Sequence, residues 1–118
     1  TRNKLTPHGA RQDTMRKITE QALKAFVNGT NFKSGNTRIE AIGNEVFMYL
    51  HDNLIATRTN RKPIVRVCSA GWQTVTTKER LNAIIEHYLS PADKIYQKNF
   101  VWYWKGNITF PSNELVKL

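Results

Sequence analysis

The sequence predicts an α+β domain: a single antiparallel sheet of about six strands with two helices, in the order α-β-β-β-β-α-β-β. Three observations carry this expectation. Apolar residues recur at three- and four-residue steps over residues 13–28 and again over 76–89, the period of a helix with one buried face. Between them, over residues 36–68, the period falls to two and turn residues recur at short intervals. Such short links between neighbouring strands require antiparallel pairing, and a sheet with helices packed on a face is the α+β architecture.

The elements follow in order. Thr1 to Gln12 holds Pro7 and Gly9, and Leu5 is its one large apolar residue. It is expected to be an extended arm, and residues 1–14 are taken as a basic arm preceding a domain over 15–118. Asp13 to Asn28 is the first helix, with Asp13 or Thr14 as N-cap. Its apolar face is Met15, Ile18, Ala22, Ala25 and Phe26, and Gly29 is its left-handed stop. Strands are expected at Thr37–Ile42, Glu45–Leu50, Leu54–Thr59 and Ile64–Cys68, turning at Gly43-Asn44, at His51-Asp52-Asn53 and over Asn60–Pro63. The second helix, Thr76 to Leu89, opens on the capping box Thr76-x-x-Glu79, with Thr77 as an alternative cap. Leu81, Ile84, Ile85, Tyr88 and Leu89 form its apolar face, and Pro91 ends it. Lys94–Gln97 and Phe100–Lys105 pair around a Lys98-Asn99 turn, and Ile108–Phe110 follows the Gly106-Asn107 turn.

Charge is the first functional signal. The chain of 118 residues has 18 Lys and Arg against 9 Asp and Glu, a net charge of +9 and a pI near 10.0. Residues 1–38 hold Arg2, Lys4, Arg11, Arg16, Lys17, Lys24, Lys33 and Arg38 against only Asp13 and Glu20. Arg58, Arg61, Lys62 and Arg66 form a second cluster without an acid among them. Clustered positive charge attracts polyanions, chiefly nucleic acid. No apolar run approaches the ~20 residues that span a bilayer. Residues 1–15 lack the apolar stretch of a secretory signal, so a cytosolic protein is expected.

Chemistry is harder to find. His8, His51 and His87 stand far apart with no ligand spacing, so no metal or other cofactor is expected. Cys68, the single cysteine, ends an apolar strand and reads as a small buried thiol rather than a nucleophile. No pair of carboxylates or His–carboxylate pair nominates itself for acid–base work, and the glycines form no phosphate cradle. A non-enzymatic protein without catalytic residues is therefore expected. Phe100, Trp102 and Trp104 alternate onto one strand face, with Tyr96 a candidate to join them. That face is read as core in preference to a base-stacking platform beside Lys98 and Lys105. Trp72, in the loop before the second helix, is expected to anchor that loop on the core.

Several stretches also resemble small uncharacterised proteins of tailed bacteriophages. They are His51-Asp52-Asn53-Leu54-Ile55-Ala56, the run from Ser69 to Ala83 (SAGWQTVTTKERLNA), Phe32-Lys33-Ser34-Gly35-Asn36-Thr37, and Gln97-Lys98-Asn99-Phe100 with the following Trp102-Tyr103 and Lys105-Gly106. The resemblance spans about residues 15–110 and implies a phage element acting in the cytoplasm of an infected bacterium, but no mechanism. Arg61-Lys62-Pro63 and the arm depart from it. The combined expectation is a phage-encoded nucleic-acid-binding module, with DNA favoured over RNA. Its contacts would come from Arg2, Lys4, Arg11, Arg16, Lys17, Arg58, Arg61, Lys62, Arg66 and Lys98. The alternative is an accessory protein that binds and inhibits an acidic host protein.

Overall fold

The structure is a computed structural model that describes residues 7–60 and 64–118, with side chains from residue 15 onward. The elements in chain order are α1 (Pro7–Asn28), β1 (Phe32–Ser34), β2 (Thr37–Ile42), β3 (Glu45–Leu50), β4 (Asn53–Thr59), β5 (Val65–Val67), α2 (Val75–Tyr88), a 3₁₀ turn (Pro91–Asp93), β6 (Tyr96–Lys98), β7 (Val101–Trp104), β8 (Ile108–Thr109) and β9 (Val116–Lys117). The class is α+β. Strands β1-β2-β3-β4-β5-β9 form one antiparallel sheet in that order, and β6-β7-β8 form a second, smaller one. The strands after α2 thus do not extend the main sheet, apart from the two-residue β9, which pairs Val116 with Val67 and Lys117 with Arg66.

The β2–β3 and β3–β4 turns sit where turn chemistry places them. Gly43 is left-handed (φ 60°) at the first position of the two-residue β2–β3 loop, the backbone that a type II′ hairpin requires. His51 and Asp52 are both left-handed between β3 and β4 (φ 51° and 64°), as in a type I′ turn. A bulge follows: Met48 pairs with Ala56 and Tyr49 with Leu54, so Ile55 is the extra residue. That offset lets the consecutive Ile55 and Ala56 both be buried while Leu54 turns to the opposite face.

α1 begins at Pro7, not at Asp13, so Asp13 and Thr14 lie within the helix rather than at its start. A proline that reads as a breaker is well suited to a first helical position, where its missing N–H has no partner to lose. Gly29 ends the helix as expected, with φ 70° and Thr30 N–H donating to the Ala25 carbonyl at 3.0 Å, a Schellman closure. Ala22, Ala25 and Phe26 are buried, Met15 and Ile18 half-buried.

α2 also opens earlier than its pattern suggests. The N-cap is Thr74, whose Oγ1 accepts from Thr77 N–H at 3.1 Å. Thr76 sits in the first turn with its hydroxyl 3.8 Å from Met15 Sδ, so the Thr76–Glu79 capping box does not form. Thr77 replaces Glu79 as the reciprocal partner, its hydroxyl 2.9 Å from that of Thr74. Leu81, Ile84 and Ile85 are fully buried, whereas Leu89 is the C-cap and is exposed.

The small sheet packs through Trp102, Trp104 and Phe110, which belong to the same buried cluster as the helices and the main sheet. The core reading of the tryptophans holds. The turn, however, is Asn99-Phe100 rather than Lys98-Asn99, because Lys98 pairs directly with Val101. This single-residue shift takes Phe100 off the tryptophan face. Tyr96 pairs with Tyr103 on the other face, the rings stacked at 5.6 Å. Trp72 does not anchor its loop in the core: it is more than half exposed.

Candidate nucleic-acid interface

The two faces of the main sheet differ completely. On one, Thr37, Ile39, Val46, Met48, Ala56, Arg58, Val65 and Val67 are buried under the helices. On the other, no residue of the described strands is buried. Register determines what this open face carries. Lys33 lies opposite Arg38, Arg38 opposite Tyr49, and Tyr49 opposite Leu54. One step along, Glu40 lies opposite Phe47, Phe47 opposite Thr57, Thr57 opposite Arg66, and Arg66 opposite Lys117. Two aromatic rings therefore occupy the middle of a sheet face, with cations at both edges.

Phe47 and Tyr49, two positions apart on β3, have ring centroids 6.4 Å apart and planes inclined by 32°. The Arg38 guanidinium lies 4.2 Å over the Tyr49 ring. It donates from Nη1 to Asp52 at 2.6 Å, and its Nε lies 2.8 Å from Glu40 without the alignment of a hydrogen bond. The Asp52 bond, chiefly, raises the Arg38 pKa above its ordinary value. Arg38 is thus committed to holding Tyr49 in place. These are the two ion pairs among the described residues. Lys33, Arg66 and Lys117 are exposed and take part in neither, which leaves their charge available to an anion.

The ten basic residues singled out from the sequence do not converge. Arg66 is on the open face. Arg16 and Lys17 are exposed on α1, which packs on the opposite face of the sheet, and Lys98 is exposed on β6 beside the small sheet's turn. Arg2, Lys4, Arg61 and Lys62 lie outside the described residues, as does the side chain of Arg11. Arg58 is buried: its Nε donates to the Phe26 carbonyl at 2.8 Å. Pairing joins Ala56 with Val67, Thr57 with Arg66 and Arg58 with Val65, each time an even with an odd number. Arg58 and Arg66 therefore face opposite ways, and Arg58 completes the C-terminus of α1. A Cβ on Gly29 would come within 3.3 Å of Arg58 Nη2, so the stop residue and the arginine fit each other.

Reasoning from sequence missed Arg80. It is 3% exposed. Its Nε donates to Thr37 Oγ1 at 3.1 Å, and Nη1 donates to the Met15 carbonyl at 3.3 Å and to Thr19 Oγ1. Burial pushes its pKa below the ordinary guanidinium value. The signal was available: Thr77, Arg80, Leu81, Ile84 and Ile85 form one helical stripe. Phe47, Tyr49 and Lys117 carry no such signal, and Lys33 and Arg38 stand out only within the basic excess of residues 1–38, because only pairing places the five together.

Cys68 lies where the sequence puts it, at the end of an apolar strand. Cys68 is buried and free, its pKa raised by desolvation. No group of three metal-ligating side chains occurs among the described residues, and no described helix is long and apolar enough to cross a membrane. Trp72, with Leu50, His51, Asn53, Ile55, Thr74 and Thr77, lines an apolar hollow of about 280 Å³. Two of the stretches that carry the phage resemblance meet there.

The fold and this face define a class: a small basic α+β protein with one covered and one open sheet face. Residues 15–117 match the family model of the Kyanoviridae Gp96 protein, a family of cyanophage, that is tailed-phage, proteins, and the chain belongs to that family. No curated protein and no solved structure matches it.

Proposed function

We propose that this phage protein binds nucleic acid, with DNA as its first candidate, through the open face of the six-stranded sheet. One observation carries the reading: a single face presents Phe47 and Tyr49 between Lys33 on one side and Arg66 with Lys117 on the other. Bases stack on sheet-borne aromatic rings while cations track the phosphates, a mode that favours single strands because their bases are accessible. Glu40 and Glu45 share the face, and Arg38 holds Glu40 close, which limits repulsion of a phosphate chain.

The test is titration of the protein with single-stranded DNA, single-stranded RNA and duplex DNA over a range of salt. Contacts from Lys33, Arg66 and Lys117 neutralise three phosphates and give a log K against log salt slope of about −2 on a single strand. The double substitution Arg66→Ala/Lys117→Ala flattens that slope by about 1.4 units and weakens all sequences alike. Absence of binding to every nucleic acid at about 50 mM salt, where such contacts are strong, removes the reading. An acidic host protein then becomes the partner to seek.

A further inference from the structure

Phe100 stands at the tip of the β6–β7 hairpin and is 90% exposed. Its backbone is left-handed, at φ 66°, as is that of Asn99 at 52°. Both positions of this type I′ turn ordinarily take Asn, Asp or Gly. A bulky side chain there is an outlier, since its Cβ crowds the backbone. Phe100 therefore has an unfavourable conformation and gains no burial from it. Local folding alone would select glycine at this site.

The hairpin that presents Phe100 is firmly mounted. Trp102 and Trp104 are buried beneath it, and Trp104 meets Phe110 edge-on at 4.9 Å. Asn82 of α2 clasps the chain just before β6, accepting from Ile95 N–H at 2.7 Å and donating to the Ile95 carbonyl at 3.3 Å. On the outer side, Tyr96 stacks on Tyr103 and its hydroxyl donates to the Gly106 carbonyl. Val101 is exposed beside the tip, and Tyr96 and Ile108 are exposed farther along the small sheet. Residues 94–110 contain Lys94, Lys98 and Lys105 and no acid. A rigid, exposed aromatic tip in a purely cationic segment is complementary to stacked rings on a polyanion.

We infer that Phe100 is a wedge that enters between neighbouring bases of the bound nucleic acid, with Lys98, which pairs with Val101 beside the tip, on the adjacent phosphate. Apolar wedges of this kind unstack a base step in known modes of DNA binding. The inference rests on the nucleic-acid reading above and adds a second contact to it.

The experiment uses the full chain and an oligonucleotide carrying 2-aminopurine, as a single strand and in a duplex with one mismatch. Binding of the wild type should raise 2-aminopurine fluorescence as the stack opens. Phe100→Gly should abolish that rise and weaken binding about tenfold, the loss of one base–aromatic contact, while the melting temperature stays the same or increases. Phe100→Trp should retain both signals. If wild type and Phe100→Gly bind equally with equal fluorescence change, the wedge is overturned and the sheet-face reading survives. If the wild type binds neither oligonucleotide, the wedge is overturned, and if it binds no other nucleic acid either, the sheet-face reading falls with it. If Phe100→Gly loses affinity only for anionic phospholipid vesicles, the tip serves a membrane surface and the wedge is again overturned.

Discussion

The two faces of the main sheet draw on the same residue types for opposite purposes. On the covered face, Arg58 donates to the Phe26 carbonyl at the end of α1, and Arg80 ties α1 and α2 to Thr37 of β2. On the open face, Arg66 and Lys117 are exposed. Charge alone does not separate the two groups. Strand pairing does, because moving one residue along a strand transfers a side chain from core to surface. An arginine inside must find carbonyls and hydroxyls for its donors. One outside is free to meet a phosphate.

The largest effects are expected where the covered face packs. Leu81→Ala or Ile85→Ala should destabilise the protein by about 2–5 kcal/mol, depending on how far the site collapses. Both residues are fully buried, and urea denaturation measures the loss. A loss well under 1 kcal/mol at both would mean that α2 buries a different face. Phe47→Ala, on the half-buried open face, should cost less than either.

Arg80 sharpens the contrast. Arg80→Ala removes a charged donor from Thr37, Thr19 and the Met15 carbonyl. It should cost about 3 kcal/mol, since hydrogen bonds to charged groups are strong and the partners stay buried. Arg80→Met fills most of the space, so a much smaller loss in that variant would assign the role to packing rather than to hydrogen bonds.

These two sites also show what is legible in a chain without its pairing. β2 and β3 are found at the boundaries their alternation gives, and the helical stripe of α2 is equally plain. β1 and β9 have three and two residues, too few to display a period. Their place depends on a neighbour supplying hydrogen bonds. Pro7 misled because proline opens a helix as readily as it closes one. The candidate site was the least legible part. Lys33, Phe47 with Tyr49, and Lys117 come from three separate stretches of sequence, and the basic run Arg58–Arg66 looked like a patch although its ends face opposite ways.

The Arg58 and Arg66 pair tests that last point with a moderate effect. Arg58→Ala should cost about 1.5–3 kcal/mol, because the Phe26 carbonyl at the α1 terminus loses a charged donor. Arg66→Ala should lie within about 0.5 kcal/mol of wild type, as exposed substitutions do. Nucleic-acid affinity should respond in the reverse order when folded protein is compared. Equal destabilisation by both would contradict the register of β4 and β5.

The smallest effect concerns the start of α2. Thr74 Oγ1 accepts from Thr77 N–H at 3.1 Å, one of the orphan donors that every helix N-terminus leaves. Thr74→Ala should therefore cost about 1 kcal/mol, and Thr74→Ser or Thr74→Asp should restore most of it because each supplies an acceptor at the same place. Thr76→Ala should cost much less, since its hydroxyl reaches only Met15 Sδ at 3.8 Å, a weak acceptor. Thermal unfolding of the three Thr74 variants beside Thr76→Ala distinguishes the two threonines. A larger loss at Thr76 would move the cap two residues and restore the Thr76–Glu79 box. Both threonines have a glutamate or a threonine three positions on, so only the measured or observed bond decides between them.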